Sequence, residues 1–306
     1  MTGRIVRGWV SVVALATASA VTLAAPLATA EAQRGERLTG WTHPVFPVAE
    51  YVDRRTAALA ALGDNDVLVI PSAEGTSGGD TFRQLDDFEY FAGLEVARSV
   101  LAVDGRTRRS TLFVPRADAR FENPGRPNDF PGRTLFGDPS VRALSGVDTV
   151  VLDEALTDFL RNASTRGARV LINAGRPGVL GGLPPSSFAV PSPGDLLVAQ
   201  LQREHPTLRL ANAYSMIAGL RMRKSPREIA TMREAARATA IAIARGASRV
   251  GPGVDERTLT GAFSADCQAL GAQRDAFSPI IKSGANSLWP WRIQIGRASC
   301  RERVCT

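Results

Sequence analysis

Two histidines, His43 and His205, are all that is available to chemistry needing an imidazole. His43 lies in a polar stretch with Gly and Pro, and His205 stands at a helix end before Pro206. Neither has the partner spacing that a Ser-His-Asp or Cys-His arrangement needs. No His-Glu-x-x-His, no Cys-x-x-Cys and no Gly-x-Gly-x-x-Gly opening a helix occurs. Asp86, Asp87 and Glu89 form an acidic cluster, which reads as a solvated helix start, because carboxylates favour the first turn. Ser72 to Asp80 is rich in Gly and Ser, but no Gly-Lys-Ser/Thr follows it. It therefore reads as a loop and not as a phosphate cradle. Asn162-Ala-Ser164 fits the glycosylation pattern and is a weak signal. Cys267 falls with Leu259, Phe263 and Leu270 on one helical face, which makes it a core residue rather than a reactive thiol. Taken alone, these residues do not assemble an active site.

The elements that would position such groups must come from an ordinary globular composition. Of 306 residues, 44% are hydrophobic and 22% charged, which argues against wholesale disorder, collagen, a coiled coil or a polytopic membrane protein. Three cysteines exclude a disulfide scaffold. The net charge is +7. Arg4 and Arg7 at the start, with Arg297, Arg301 and Arg303 against Glu302 at the end, carry more than half of it. No clustered basic stripe remains for nucleic acid, and none is expected as a partner.

Residues 1–30 read as a signal peptide. Arg4 and Arg7 precede an apolar run from Trp9 to Ala25, and Ala28-Thr29-Ala30 supplies the small residues for cleavage before Glu31. The expected location is secreted or periplasmic, with no stable membrane anchor after cleavage. Residues 31–45 read as a linker. Residues 295–306 have no apolar period and resemble a translated sequencing adapter, so a non-native tail is expected there.

Between these ends the pattern is α/β. A helix is expected from Ala49 to Leu62, opened by Pro47 and stopped by Gly63. Asp66 to Ile70 is a buried-strand run. Ser99 to Val103 and Thr111 to Val114 flank Asp104-Gly105 as a hairpin. Arg120 to Gly132 must be loop. Strands at Thr149–Leu152, Arg169–Ile172 and Leu208–Leu210 alternate with helices at Glu154–Asn162 and Asp195–Glu204, and a Gly/Pro-rich loop runs from Asn173 to Gly194. Beyond Tyr214, Ser225-Pro-Arg-Glu228 is a capping box that opens a helix with Ile229, Met232, Ala236, Ala240 and Ile243 on one face. Val250-Gly-Pro-Gly253 breaks it. A second helix from Asp255 to Leu270 is stopped by Gly271, and Phe277 to Ile281 reads as a strand.

Several of these segments resemble aminopeptidase P of the pita-bread metallopeptidase family. They are Phe82-Arg-Gln-Leu-Asp-Asp-Phe-Glu-Tyr-Phe-Ala-Gly93, in which Asp87, Phe88, Tyr90 and Gly93 match, and Leu112-Phe-Val-Pro115. The stretch from Leu220 to Ala235, Gly251-Pro-Gly-Val-Asp-Glu256 and Phe277-Ser-Pro-Ile-Ile-Lys-Ser-Gly-Ala-Asn286 follow in the family's order. The resemblance implies an aminopeptidase P or creatinase-like N-terminal α/β domain at 46–214, followed by an incomplete α+β pita-bread domain at 215–294. It also implies removal of an N-terminal residue from peptides with proline second, and self-association through the N-terminal domain. The family uses two divalent metal ions, usually manganese, held by two Asp, one His and two Glu. Those ligands follow the Gly-x-Asn stretch, and here Ser287-Leu-Trp-Pro-Trp-Arg-Ile293 runs on without the first catalytic His. No residue carries over as a catalytic, cofactor-binding or metal residue, so the 306-residue chain is expected to bind no metal and to be inactive. The resemblance leaves two alternatives: a non-catalytic peptide-binding or chaperone-like member of the fold, and a prolidase or creatinase-like hydrolase. The helices after Ser225 are expected to leave apolar side chains uncovered, giving a poorly packed region from 225 to 293.

Overall fold

The computed structural model describes residues 45–74, 82–116, 136, 139–175, 192–272 and 274–288. The leader, most of the linker including His43, the loop at 120–132, most of the loop at 173–194 and the adapter-like tail lie outside the described residues. The chain divides into two compact units, Met1–Ile217 and Ala218–Thr306.

The first unit is built on a six-stranded sheet in the order β4-β3-β2-β1-β5-β6. Its strands are β1 Asp66–Pro71, β2 Val100–Asp104, β3 Arg109–Val114, β4 Thr149–Leu152, β5 Arg169–Ile172 and β6 Arg209–Asn212. β2 runs antiparallel to both of its neighbours, whereas β3 with β4, β1 with β5 and β5 with β6 pair in parallel. β1 and β2 sit in the middle, which accounts for their nearly unbroken apolar runs: a strand covered on both faces has no solvent side to alternate towards. One face carries Val67, Val69, Ala102, Phe113, Val170 and Ile172 against helices α4 Ala155–Thr165 and α5 Pro193–Glu204. The other carries Leu68, Ile70, Leu101, Val103 and Leu112, with α1 Val48–Ala61, α2 Asp86–Ala92 and α3 Pro139–Ser145 on that side. The fold is the expected mixed α/β arrangement. Helix α3 and helix α6 Tyr214–Met222 are additions to the elements read from the sequence.

The hairpin closes through Gly105 to Arg108. Asp104 Oδ1 accepts from the Arg106 N–H at 2.9 Å, an Asx-type turn. Gly105 is required for a reason other than turn geometry. A Cβ there would lie 2.2 Å from the Gly63 carbonyl oxygen, and the Gly105 N–H donates to Asp66 O at 2.9 Å. This rim is also locked by two bidentate ion pairs. Arg169 donates to both carboxylate oxygens of Asp66 at 2.8 and 2.7 Å, and Arg166 to both of Asp104 at 3.0 and 2.9 Å.

The three helices on one face are tied together by a single cation. Arg55 of α1 is 3% exposed and donates to Phe91 O at 2.6 Å, Ser145 O at 2.8 Å and Gly146 O at 2.6 Å. These carbonyls lie at the C-terminal ends of α2 and α3, where helices leave acceptors unsatisfied and the macrodipole is negative. Burial pulls the Arg55 guanidinium down to about 10, still charged at neutral pH. Beside it, Arg54 lies over the rings of Phe46, Tyr51 and Tyr90 at 4.9, 5.3 and 4.3 Å from their centroids.

The second unit contains helices α7 Pro226–Ser248 and α8 Glu256–Ala269, packed on each other, and a short 3-10 turn, Gly284–Leu288. Ser225 and Glu228 form the expected capping box. Phe277 to Ile281 is not a strand: the chain bends at Phe277 and has no ladder partner among the described residues. β-propensity makes a strand only where a neighbouring edge supplies hydrogen bonds. Ile229, Met232 and Ile243 on α7 are 38, 55 and 58% exposed, so the helix leaves much of its apolar face open to solvent. None of the described helices is long and apolar enough to cross a membrane.

Arg55→Met should cost about 3–5 kcal/mol of stability in urea unfolding, because three buried carbonyls lose their partner. An acid titration reports on Asp66, whose carboxyl the Arg169 hydrogen bonds hold below the ordinary carboxylate value. A depressed folded pKa contributes stability above the unfolded pKa and loses it as pH falls through the folded one. Parent and Asp66→Asn unfolding curves should therefore differ above about pH 4 and converge below it.

Candidate functional site

The segment from Phe82 to Gly93 is where sequence pattern and geometry meet most closely. Gln84 is buried and its amide is fully used. Its oxygen accepts from the N–H groups of Ala73 and Leu85 at 2.8 and 2.9 Å, and its nitrogen donates to Leu94 O and Val96 O at 3.0 and 2.8 Å. It holds the entry and exit of α2 together across the end of β1. Phe88 and Phe91 enter the core, and the Tyr90 ring packs under Arg54. Gly93 ends α2 at φ +64°, a conformation that a Cβ disfavours. A Cβ would also meet the Tyr51 ring at 2.2 Å. The residues that resembled a family motif are thus a packing and hydrogen-bonding unit of the fold.

The candidate chemical residues are not brought together. Asp87 Oδ2 accepts from Asn173 Nδ2 at 2.5 Å, which ties the start of α2 to the end of β5. Asp86 faces Arg83 at 3.8 Å on the exposed side. His205 is the C-cap of α5, its N–H bonded to Leu201 O at 2.8 Å. Asn162 is exposed on α4, and Ser164 shares a hydrogen bond with Thr207 at 2.9 Å. No group of three or more His, Cys, Asp or Glu capable of holding a metal ion occurs among the described residues. They do not fit the dinuclear centre that the family resemblance implies.

The second unit holds an apolar groove of about 570 Å³. Its walls are Ala238 and Ile243 of α7, Leu259 and Phe263 of α8, and Phe277 and Ile280 of the following segment. Cys267 lies at its side, 6% exposed. Burial and the nearby Asp275 and Asp266 carboxylates push its thiol up from the ordinary value, so the neutral form dominates at physiological pH. Asp266 joins the two helices by accepting from Arg245 at 3.3 Å and from Arg249. The Arg249 hydrogen bond is the main reason its carboxyl stays below the usual range. Two groups that sequence reasoning passed over are Glu256 and Ser264 on α8. Glu256 opens the helix just after the capping residue Asp255, a position that by itself suggests only a solvated first turn.

Comparison with known proteins connects both units to one family. The description "Aminopeptidase P, N-terminal domain" matches residues 51–170, and "Metallopeptidase family M24" matches residues 230–302. The chain is aminopeptidase P-like, with M24 metallopeptidase sequence following the N-terminal module. It is 25% identical over 255 residues to intermediate cleaving peptidase 55, mitochondrial, of Arabidopsis thaliana, covering 81% of this chain and 47% of that protein. It is 25% identical over 283 residues to Xaa-Pro aminopeptidase 3 of Mus musculus, covering 81% and 49%. Among solved structures, the Pseudomonas aeruginosa aminopeptidase PepP superposes with a TM-score of 0.66 at 21% identity, over 83% of this chain and 56% of that one. Icp55 of Saccharomyces cerevisiae gives 0.64 at 19% identity, over 82% and 54%. These likenesses place the fold among the aminopeptidase P pita-bread proteins with their N-terminal domain. The chain spans about half the length of the curated relatives it matches.

Proposed function

We propose that this chain is the N-terminal half of a divalent-metal-dependent Xaa-Pro aminopeptidase, which removes the first residue from peptides with proline second. The observation that carries the reading is the order of the two family matches along one chain, the N-terminal module at 51–170 and the M24 sequence at 230–302. The compact unit around Gln84, Gly93 and Arg55 supports it, since it gives the family-like motif a structural role in the first module. In this reading divalent metal ions, manganese by expectation, would supply Lewis-acid activation of water, and no cluster of three or more His, Cys, Asp or Glu among the described residues would hold them. The 306-residue chain should be inactive by itself.

The protein works outside the cytoplasm, secreted or periplasmic, after loss of residues 1–30. Support for this comes from the leader pattern alone.

The test is an amino-acid release assay on a peptide with proline second, run on the product of the uninterrupted gene and on the 306-residue chain. The longer product should release the first residue, lose activity to a chelator and regain it with manganese, and its exported form should begin at Glu31. Turnover by the 306-residue chain alone would overturn the half-protein reading. A longer product that cleaves peptides without regard to proline would overturn the specificity. Peptide binding without turnover by the longer product would favour the non-catalytic alternative.

A further inference from the structure

Residues 221–249 carry seven arginines and one lysine against two glutamates, a net of +6, while the whole chain carries +7. Apart from this stretch and the two ends, the chain is acidic on balance. Such asymmetry bears on partners rather than on the fold. Part of the charge is answered locally. Asp266 accepts from Arg245 and Arg249, and Glu234 faces Arg237 at 3.1 Å. The excess gathers around the start of α7, at Arg221, Arg223, Lys224, Arg227 and Arg233. Glu228, the acid among them, is engaged in the capping box, where it accepts from the Ser225 N–H at 2.8 Å.

The same end of α7 is uncovered. From Pro226 to Arg237, about 18 Å of helix, every residue is exposed except Glu228, which is half-buried. Burial begins only further on, at Ala238, Ile241 and the fully buried Ala242. Ile229 and Met232 lie on the open part, and Met222, just before it, is 79% exposed. Arg233 follows Ile229 by four positions and borders the apolar stripe, and Arg237 repeats that place one turn later. An arginine so placed lays its methylenes beside apolar neighbours and keeps its charge clear of them.

These features together select the partner. Nucleic acid answers the cations but leaves Met222, Ile229 and Met232 in water. An apolar protein surface does the reverse. The boundary of a phospholipid bilayer supplies anionic headgroups and, about 5–10 Å deeper, an apolar medium. Three large apolar side chains are far from the run of about 20 that a span needs, so the contact is that of a helix lying on the surface. We propose that residues 221–237, the first half of α7 and the basic segment before it, form a peripheral docking surface for membranes bearing anionic phospholipid. The peptidase reading neither requires nor supplies this, since it concerns what the chain cleaves and not where it sits.

The experiment sediments the 306-residue chain with vesicles of phosphatidylcholine alone and with vesicles in which a third of the lipid is phosphatidylglycerol. One variant combines Arg223→Gln, Lys224→Gln and Arg233→Gln, and a second combines Ile229→Ser and Met232→Ser. A third, with Arg106→Gln, Arg142→Gln and Arg203→Gln, removes the same charge from exposed positions of the first unit. The parent should bind the anionic vesicles at least about tenfold more tightly than the neutral ones, and less so as salt rises. The first two variants should each lose at least about tenfold of that affinity, the third little. Hydrogen exchange across 226–237 should slow when the parent meets anionic vesicles. The proposal fails if the first variant binds like the parent, or if the third loses as much as the first, which marks net charge alone. It fails if neutral vesicles bind equally well, which marks the apolar run of the leader. It also fails if exchange across 226–237 is already suppressed in a self-associated parent, which marks a second copy on the helix. A short DNA duplex bound more tightly than the vesicles, with the serine variant unaffected, would assign the cations to nucleic acid instead.

Discussion

The first unit depends on one buried cation. Arg55 gathers the terminal carbonyls of α2 and α3 onto α1, and among the described residues its direct partners are backbone oxygens rather than a carboxylate. A guanidinium suits this task because its several N–H groups spread in a plane and reach acceptors on two helices at once. Burying the charge is costly, and the cost is offset only because both helices end there, each bringing a negative dipole end and unsatisfied oxygens. The three helices are short or lightly capped and would not persist in isolation. Their shared acceptor site makes them one layer, and that layer covers the sheet face formed by Leu68, Ile70 and Leu101.

Much of this layout was legible in the sequence. β4 and β5 fall on the residues expected, because a short apolar run between turn signals has few other stable fates in an α/β chain. The long helix after Ser225 announces itself through its capping box and periodic apolar face. The role of Arg55 was not legible, since its partners stand 36, 90 and 91 residues away and are backbone oxygens, which leave no mark on residue type. Helices α3 and α6 were missed for a related reason. Both are short, at seven and nine residues, too few turns to show a clear apolar period in the sequence.

The expected strand at Phe277–Ile281 shows the limit from the other side. Its composition is that of a strand, but a ladder needs an edge, and none stands beside it among the described residues. The same segment, held instead by Glu256 and Ser264, makes a groove wall. Asp87 and Cys267 occupy the positions expected of them, one at a helix start and one in a core, but the bond from Asn173 to Asp87 and the carboxylates beside Cys267 come from other elements and left no mark in the sequence.

The two rims of the sheet are unequal. At one, Asp66 with Arg169 and Asp104 with Arg166 close the ends, and Gly105 sits tight against Gly63. At the other, five of the six strands terminate side by side, with Asp87, Asn173 and Asn212 hydrogen-bonded near the ends of β5 and β6. The connections leaving β1, β3 and β5 at this border can change length without disturbing a registered strand pair. An insertion at the clamped rim would have to break the Asp66–Arg169 or Asp104–Arg166 pair or part Gly105 from Gly63, so a change of loop length costs least at the opposite border.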